Sequence, residues 1–180
     1  MLLSRIPVLD KGYVALIESS MTTQKMRDLG QEFFGGEYPI SLEEFGAMTV
    51  VIKCPLFIQL SLSKFNLGII NANQCSSQSI EAYVPNPGEI GAPERLNCEA
   101  IADDISRTTD ALLINPKAYQ ADGADIFISQ LITPINIYTT LIISGSYNEW
   151  CKWAYQNGSI PYPIKSYAAA LQQIIETEWK

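Results

Sequence analysis

Apolar and polar positions alternate loosely from Val8 to Glu18, in a stretch rich in β-formers. This predicts a strand with a Lys11-Gly12 turn inside it. Thr22–Phe34 carries the longer period. Met26, Leu29 and Phe33 fall on one helical stripe, Thr22 or Thr23 can cap it, and Gly35-Gly36 stops it. Ala47–Lys53 (AMTVVIK) is compact and β-branched and predicts the clearest strand of the chain. Pro55 suits the first turn of a helix, and apolar residues at 56, 57, 60 and 65 predict that helix over Leu56–Phe65, packed on a sheet.

Beyond this point the pattern changes twice. Asn66–Gln78 is small and polar and predicts a loop. Tyr83–Pro93 holds Pro85, Pro87, Gly88, Gly91 and Pro93 and predicts a long extended connection. Glu94–Leu113 predicts a helix with Leu96, Ala100, Ile101, Ile105 and Leu112 inward. Ala124–Ile132 and Asn136–Tyr155 predict further helices broken by Pro134, although both are rich in Val and Ile. Tyr167–Trp179 predicts a last helix, with Ala170, Leu171, Ile174 and Ile175 toward the core. Strands followed mostly by helices, without regular βαβ alternation, give an α+β or mixed α/β class, as one domain over residues 1–180.

Composition narrows the chemistry. Hydrophobic residues make up 47% of the 180 positions and charged ones 17%, a globular balance. The net charge of −7 makes the chain a poor partner for a nucleic-acid backbone. There is no histidine, which removes Ser-His-Asp and Cys-His catalysis and any imidazole base or metal ligand. The cysteines (Cys54, Cys75, Cys98, Cys151) form no CxxC pair, so no metal site is expected. Cys54 and Cys151 read as small buried hydrophobes. Free thiols in a reducing compartment are the expected state. MLLSRIPVLDKG lacks the apolar run of a signal peptide. Leu131–Ser144, the nearest approach to a membrane span, is interrupted by Thr133, Pro134, Asn136, Thr139 and Thr140. The expectation is a cytoplasmic protein with no membrane segment.

Familiar site motifs are missing. There is no GxGxxG and no GxxxxGK[ST]. Asp103-Asp104, with Glu99, reads as a solvated helix face, and Glu43-Glu44 as a solvated turn or a site carboxylate. Tyr147, Trp150 and Cys151 have core spacing, with Trp153 and Tyr155 close by. Stacking on a flavin or base competes there with core packing or an oligomer interface.

Four segments in series resemble the flavin-dependent thymidylate synthases. VLDKGYVALIE, Val8 to Glu18, resembles that family's opening VLDHGYVRLVD. SLEEFGAMTVVIKCPLFI, Ser41 to Ile58, resembles [ST]PFE-x(5)-F-x-[IV]-K-x-P-[IL]-F-[IV] without a gap. AYVPNP, Ala82 to Pro87, is similar to FYxPxP, and TPINIYT, Thr133 to Thr139, to LPLNLYT. The resemblance implies a thymidylate synthase-complementing-protein-like mixed sheet flanked by helices. It also implies a homotetramer with FAD between subunits, and conversion of dUMP to dTMP by reduced flavin and methylenetetrahydrofolate. No protein nucleophile takes part, because the flavin does the chemistry.

The family's Arg-His-Arg-x-x-Ser signature is where this chain departs. Counted from Pro55, the three basic positions fall on Lys64, Phe65 and Asn66, and the serine on Ile69. Asn71 matches. The glutamate after it is Ala72, the nucleotide-contacting serine is Gln74, and the arginine and tyrosine beyond are Ser76 and Ser77. The upstream glutamine is Ser61. Counted from Pro134, an arginine becomes Gln130, an asparagine becomes Ser146, and a late nucleotide-binding arginine becomes Asn157. Carried over in this way, Ser41, Lys64, Asn66 and Asn71 are the flavin-side candidates. Ser61, Lys64, Gln74, Ser76, Gln130 and Asn157 are the nucleotide-side candidates, and no residue is catalytic. Glu44 stays polar near that cleft, while Asn136 and Tyr138 read as a helix start and a buried tyrosine. Each lost arginine fork is worth ~1.5–3 kcal/mol per charge-assisted bond. A lysine offers a point charge and no fork.

Three readings follow. One is a divergent relative that still binds FAD or a pyrimidine nucleotide. Another is an inactive subunit or scaffold that pairs with itself or with an active homologue. A third, without the resemblance, is an acidic binding domain.

Overall fold

The computed structural model describes residues 5–20, 25, 28, 31–33, 35, 46–72, 81–90, 97–122, 134–156 and 160–178. The protein is mixed α/β, with a five-stranded antiparallel sheet and helices, and the chain divides into two compact units.

The first unit comprises residues Met1–Cys54, Ile58–Ser76 and Thr139–Lys180. Its sheet starts with a hairpin of β1 (Arg5–Val8) and β2 (Gly12–Ser19). Leu9, in the three-residue turn, adopts φ 57°, a strained setting for a bulky side chain. β2 pairs with β3 (Ala47–Pro55), with Tyr13 opposite Lys53 and Leu16 opposite Val50. A bulge between Leu16 and Glu18 leaves Ile17 exposed. β3 shows the period of two that a one-sided sheet needs: Met48, Val50, Ile52 and Cys54 are buried and the residues between them half-buried. β4 (Gly68–Asn71) and β5 (Tyr138–Ser146) complete the order β1-β2-β3-β5-β4. Tyr147 N donates to Gly46 O at 2.7 Å and Thr49 Oγ1 to Ser144 Oγ at 3.1 Å. One index rises by three as the other falls by three, so β3 and β5 run antiparallel.

Helix α1 (Leu56–Leu62) follows β3 directly and buries Ile58 and Leu62. Leu60, expected inward, is exposed. The last helices, α4 (Tyr147–Ala154) and α5 (Tyr162–Glu178), pack on each other, and α5 also contacts β1 and β2. Trp150, Trp153, Tyr167 and Leu171 are wholly buried, and Ala170, Ile174 and Ile175 are core residues as their spacing requires. Trp150 Nε1 donates to Met48 O at 3.0 Å, and the Tyr167 hydroxyl donates to Lys53 O at 2.8 Å. The two helices are thereby tied to β3 by directional bonds as well as by area.

The second unit comprises Pro55–Phe57 and Ser77–Tyr138. It holds α2 (Pro87–Ile90) and α3 (Cys98–Ala121). Asn97 Oδ1 accepts the Ala100 N–H at 3.2 Å, so α3 starts on an N-cap and then runs through Pro116. Its buried face is Cys98, Ala102 and Thr109, with Ile105 and Leu112 half-covered. Ala100, expected inward, is exposed.

Three expectations are corrected. Asn136–Tyr155 is β5 followed by α4, because Tyr138–Ser146 is β-branched and buries Leu141 and Ile143 on alternate positions. The loop read over Asn66–Gln78 contains β4, whose partner strand lies more than 65 residues away and leaves no local signal. The Tyr83–Pro93 connection contains the short α2. At the N-terminal side Lys25, Asp28 and residues 31–33 are helical as predicted, but Phe33 is 67% exposed and belongs to no core stripe there. Gly35 has φ +65°, the left-handed setting expected of a glycine helix stop. Ala124–Ile132 lies outside the described residues.

Candidate functional site

Four of the carried-over residues lie along one continuous stretch of the first unit: α1, the turn after it, and β4. Ser61 is half-buried on α1, and its hydroxyl donates to Ile58 O at 2.7 Å. Lys64 is exposed in the turn. Phe65, where the family has histidine, is half-buried and offers no donor. Asn66 is exposed, and its backbone N–H donates to Glu149 Oε2 at 3.0 Å. Asn71, half-buried at the end of β4, accepts the Thr139 hydroxyl on Oδ1 at 3.1 Å. Ser41, Glu44, Gln74, Ser76, Gln130 and Asn157 lie outside the described residues.

Sequence reasoning missed Glu149. It is the third residue of α4, behind an N-cap serine whose Oγ accepts the Glu149 N–H at 3.4 Å. The signal was present as Ser146-x-x-Glu149, a capping-box spacing. Its side chain is only 16% exposed and meets Lys152 Nζ at 2.5 Å. Lys152, and after it the Asn66 N–H, hold the carboxyl below the usual glutamate range.

The polar groups of this stretch thus divide into two sets. Ser61, the Asn66 N–H and Asn71 are engaged within the chain, whereas Lys64 presents a charge to solvent. Of these four residues, Lys64 is the one that offers a cation, and an exposed ammonium can meet an anion as a point charge. Among the described residues no group of three or more Cys, Asp or Glu could hold a metal ion. Cys54 is buried, and burial pushes its thiol far above the ordinary range, which leaves it inert as a nucleophile. Cys98 is also buried. Cys151, expected to be buried, is half-covered.

Asn136 and Tyr138 belong to the second unit. Asn136 starts no helix. It stands in the turn before β5, and its Nδ2 donates to Tyr83 O at 2.8 Å and to Thr109 Oγ1 at 2.9 Å. Tyr138 is buried, as expected. Asn136→Ala leaves the buried Tyr83 carbonyl and Thr109 hydroxyl without this donor and is expected to cost about 1–3 kcal/mol. Urea unfolding measures it, and a loss below about 0.5 kcal/mol would show that other groups satisfy both atoms.

Asp103 and Asp104 are exposed on α3, and the second pairs with the equally exposed Arg107 at 3.4 Å, a solvated face as read. No described helix is long and apolar enough to cross a membrane. Compared with known proteins, the sequence matches no family model and shows no significant similarity to a curated protein.

Proposed function

We propose that the chain is a divergent relative of the flavin-dependent thymidylate synthases, kept as a nucleotide- or FAD-binding scaffold that does not turn over dUMP by itself. The supporting observation is that the resembling segments, far apart in sequence, are bonded to one another. In the first unit Val8–Glu18 pairs with β3 along the register Tyr13↔Lys53 to Ser19↔Met48. In the second unit Leu56 N donates to Ile137 O at 2.9 Å, Ala82 bridges Ile137, and Tyr83 N donates to Asn136 O at 2.9 Å. Those contacts join the second, third and fourth segments. In this reading the topology is thymidylate synthase-complementing-protein-like, Lys64 faces the anion, and the protein is a cytoplasmic homo-oligomer with the family's tetrameric habit.

A second reading has a specific observation in its favour. Ser61 Oγ and Asn71 Oδ1 already have partners inside the chain. Such a subunit would complete its site with the arginines of an active homologue.

The test is a dTMP assay with dUMP, reduced flavin and methylenetetrahydrofolate, beside calorimetry with dUMP. The first reading expects no dTMP, a yellow preparation that releases FAD on heating, and millimolar or tighter dUMP binding that Lys64→Ala weakens. Absence of dUMP binding, with flavin acquired only on mixing with an active homologue, favours the second. Robust turnover overturns both.

A further inference from the structure

A capping-box glutamate normally folds back onto the N–H of its own N-cap residue. Glu149 does not. Its Oε2 reaches across to the Asn66 N–H, 83 residues away in sequence. The sheet register explains why that partner is waiting. β4 and β5 pair as Gly68↔Ser144 and Asn71↔Leu141. Extending that register by two residues places Asn66 opposite Ser146, where β5 ends and α4 begins. The strand that would have supplied the next acceptor has become a helix, and the Glu149 carboxylate takes its place.

We propose that Glu149 is a pH-sensitive latch on the α1–β4 turn: ionised, it holds residues 63–67 against the start of α4, and on protonation it releases them. Among the described residues the groups around it are as follows. Lys152 faces it from α4 at 2.5 Å, Lys64 lies in the turn two residues before Asn66, and β5 contributes only Ser144, Gly145 and Ser146, none charged. A carboxyl held below its ordinary range contributes order above that range and loses it as the pH falls through the lowered value. The turn carries Lys64, so the latch fixes where that charge stands. This inference does not rest on what Lys64 binds.

Amide-resolved NMR on the intact chain tests it without any ligand. In the wild type, the Asn66 amide proton should shift, and its exchange (corrected for the intrinsic rate) should accelerate, as the pH drops below the ordinary glutamate range. Val50, deep in β3, should stay protected over the same range. Glu149→Ala should speed Asn66 exchange at neutral pH by about tenfold or more, the scale of losing one charge-assisted bond. Lys152→Ala should move the Asn66 transition to higher pH, which a purely structural role for Glu149 would not produce. If Glu149→Ala fails to fold, the wild-type and Lys152→Ala titrations decide alone. An Asn66 amide indifferent to pH in this range, or unchanged by Glu149→Ala, overturns the latch.

Discussion

Gly12→Ala is expected to destabilise the protein by about 3 kcal/mol, at the upper end of overpacking costs. A Cβ at this position would lie 1.9 Å from the Tyr167 hydroxyl oxygen and 2.8 Å from the carbonyl oxygens of both Lys53 and Val8. Two of those three obstacles are backbone atoms of β3 and β1, and neither can swing aside without breaking the pairing around it. The third is fixed by its own hydrogen bond to Lys53 O. Urea unfolding should show a lower midpoint with an unchanged slope. Gly88→Ala is the control, because nothing lies within 4 Å of its added carbon. Combining Gly12→Ala with Tyr167→Phe should recover only part of the loss, since the carbonyls remain. Stability within about 0.5 kcal/mol of wild type for Gly12→Ala would mean that the hairpin and α5 do not meet as described.

Trp150→Ala is expected to cost more, about 3–5 kcal/mol, or to abolish folding. The indole is wholly buried and its N–H donates to Met48 O. Alanine removes both the packing and the donor. Trp150→Phe separates them: most of the ring area stays and the Met48 bond is lost, for about 1–2 kcal/mol. The neighbouring Trp153 supplies an internal comparison. It is equally buried, but its Nε1 has no hydrogen-bond partner among the described residues. Trp153→Phe therefore removes no bond and should be the milder of the two phenylalanine changes by thermal melting. The reverse order would show that the Trp150 N–H contributes little.

The N-terminal hairpin, β3 and α5 were legible from period, because each has a one-sided apolar face; Pro55 marked the start of α1, but that helix ends at Leu62, short of Phe65, and buries Ile58 and Leu62 instead of the expected stripe. β5 was not. In Tyr138–Ser146 the apolar residues Leu141, Ile142 and Ile143 are consecutive, so helix and strand templates fit equally well. The choice was made by β3 and β4 on either side. β4, with four residues and one glycine, carries almost no pattern of its own and exists because β5 is there to pair with. The site was legible in the same uneven way. Ser61, Lys64, Asn66 and Asn71 were found by counting along a resembling segment, and they do share one stretch of the first unit. Counting could not reveal that the Asn66 N–H and Asn71 are already engaged, since their partners Glu149 and Thr139 come from the far end of the chain, and Ser61 turns back onto Ile58 O within its own helix.

Tyr167 reaching Lys53, and α5 covering β1 and β2, set the order in which this molecule can be built. During synthesis the hairpin leaves the ribosome before α5, with Val14 and Leu16 still in water. More than a hundred further residues must follow before the helix that shelters them exists. Contacts of such long sequence separation slow folding and lengthen the life of sticky intermediates. The strong charge excess of the chain helps keep such intermediates apart until that helix arrives.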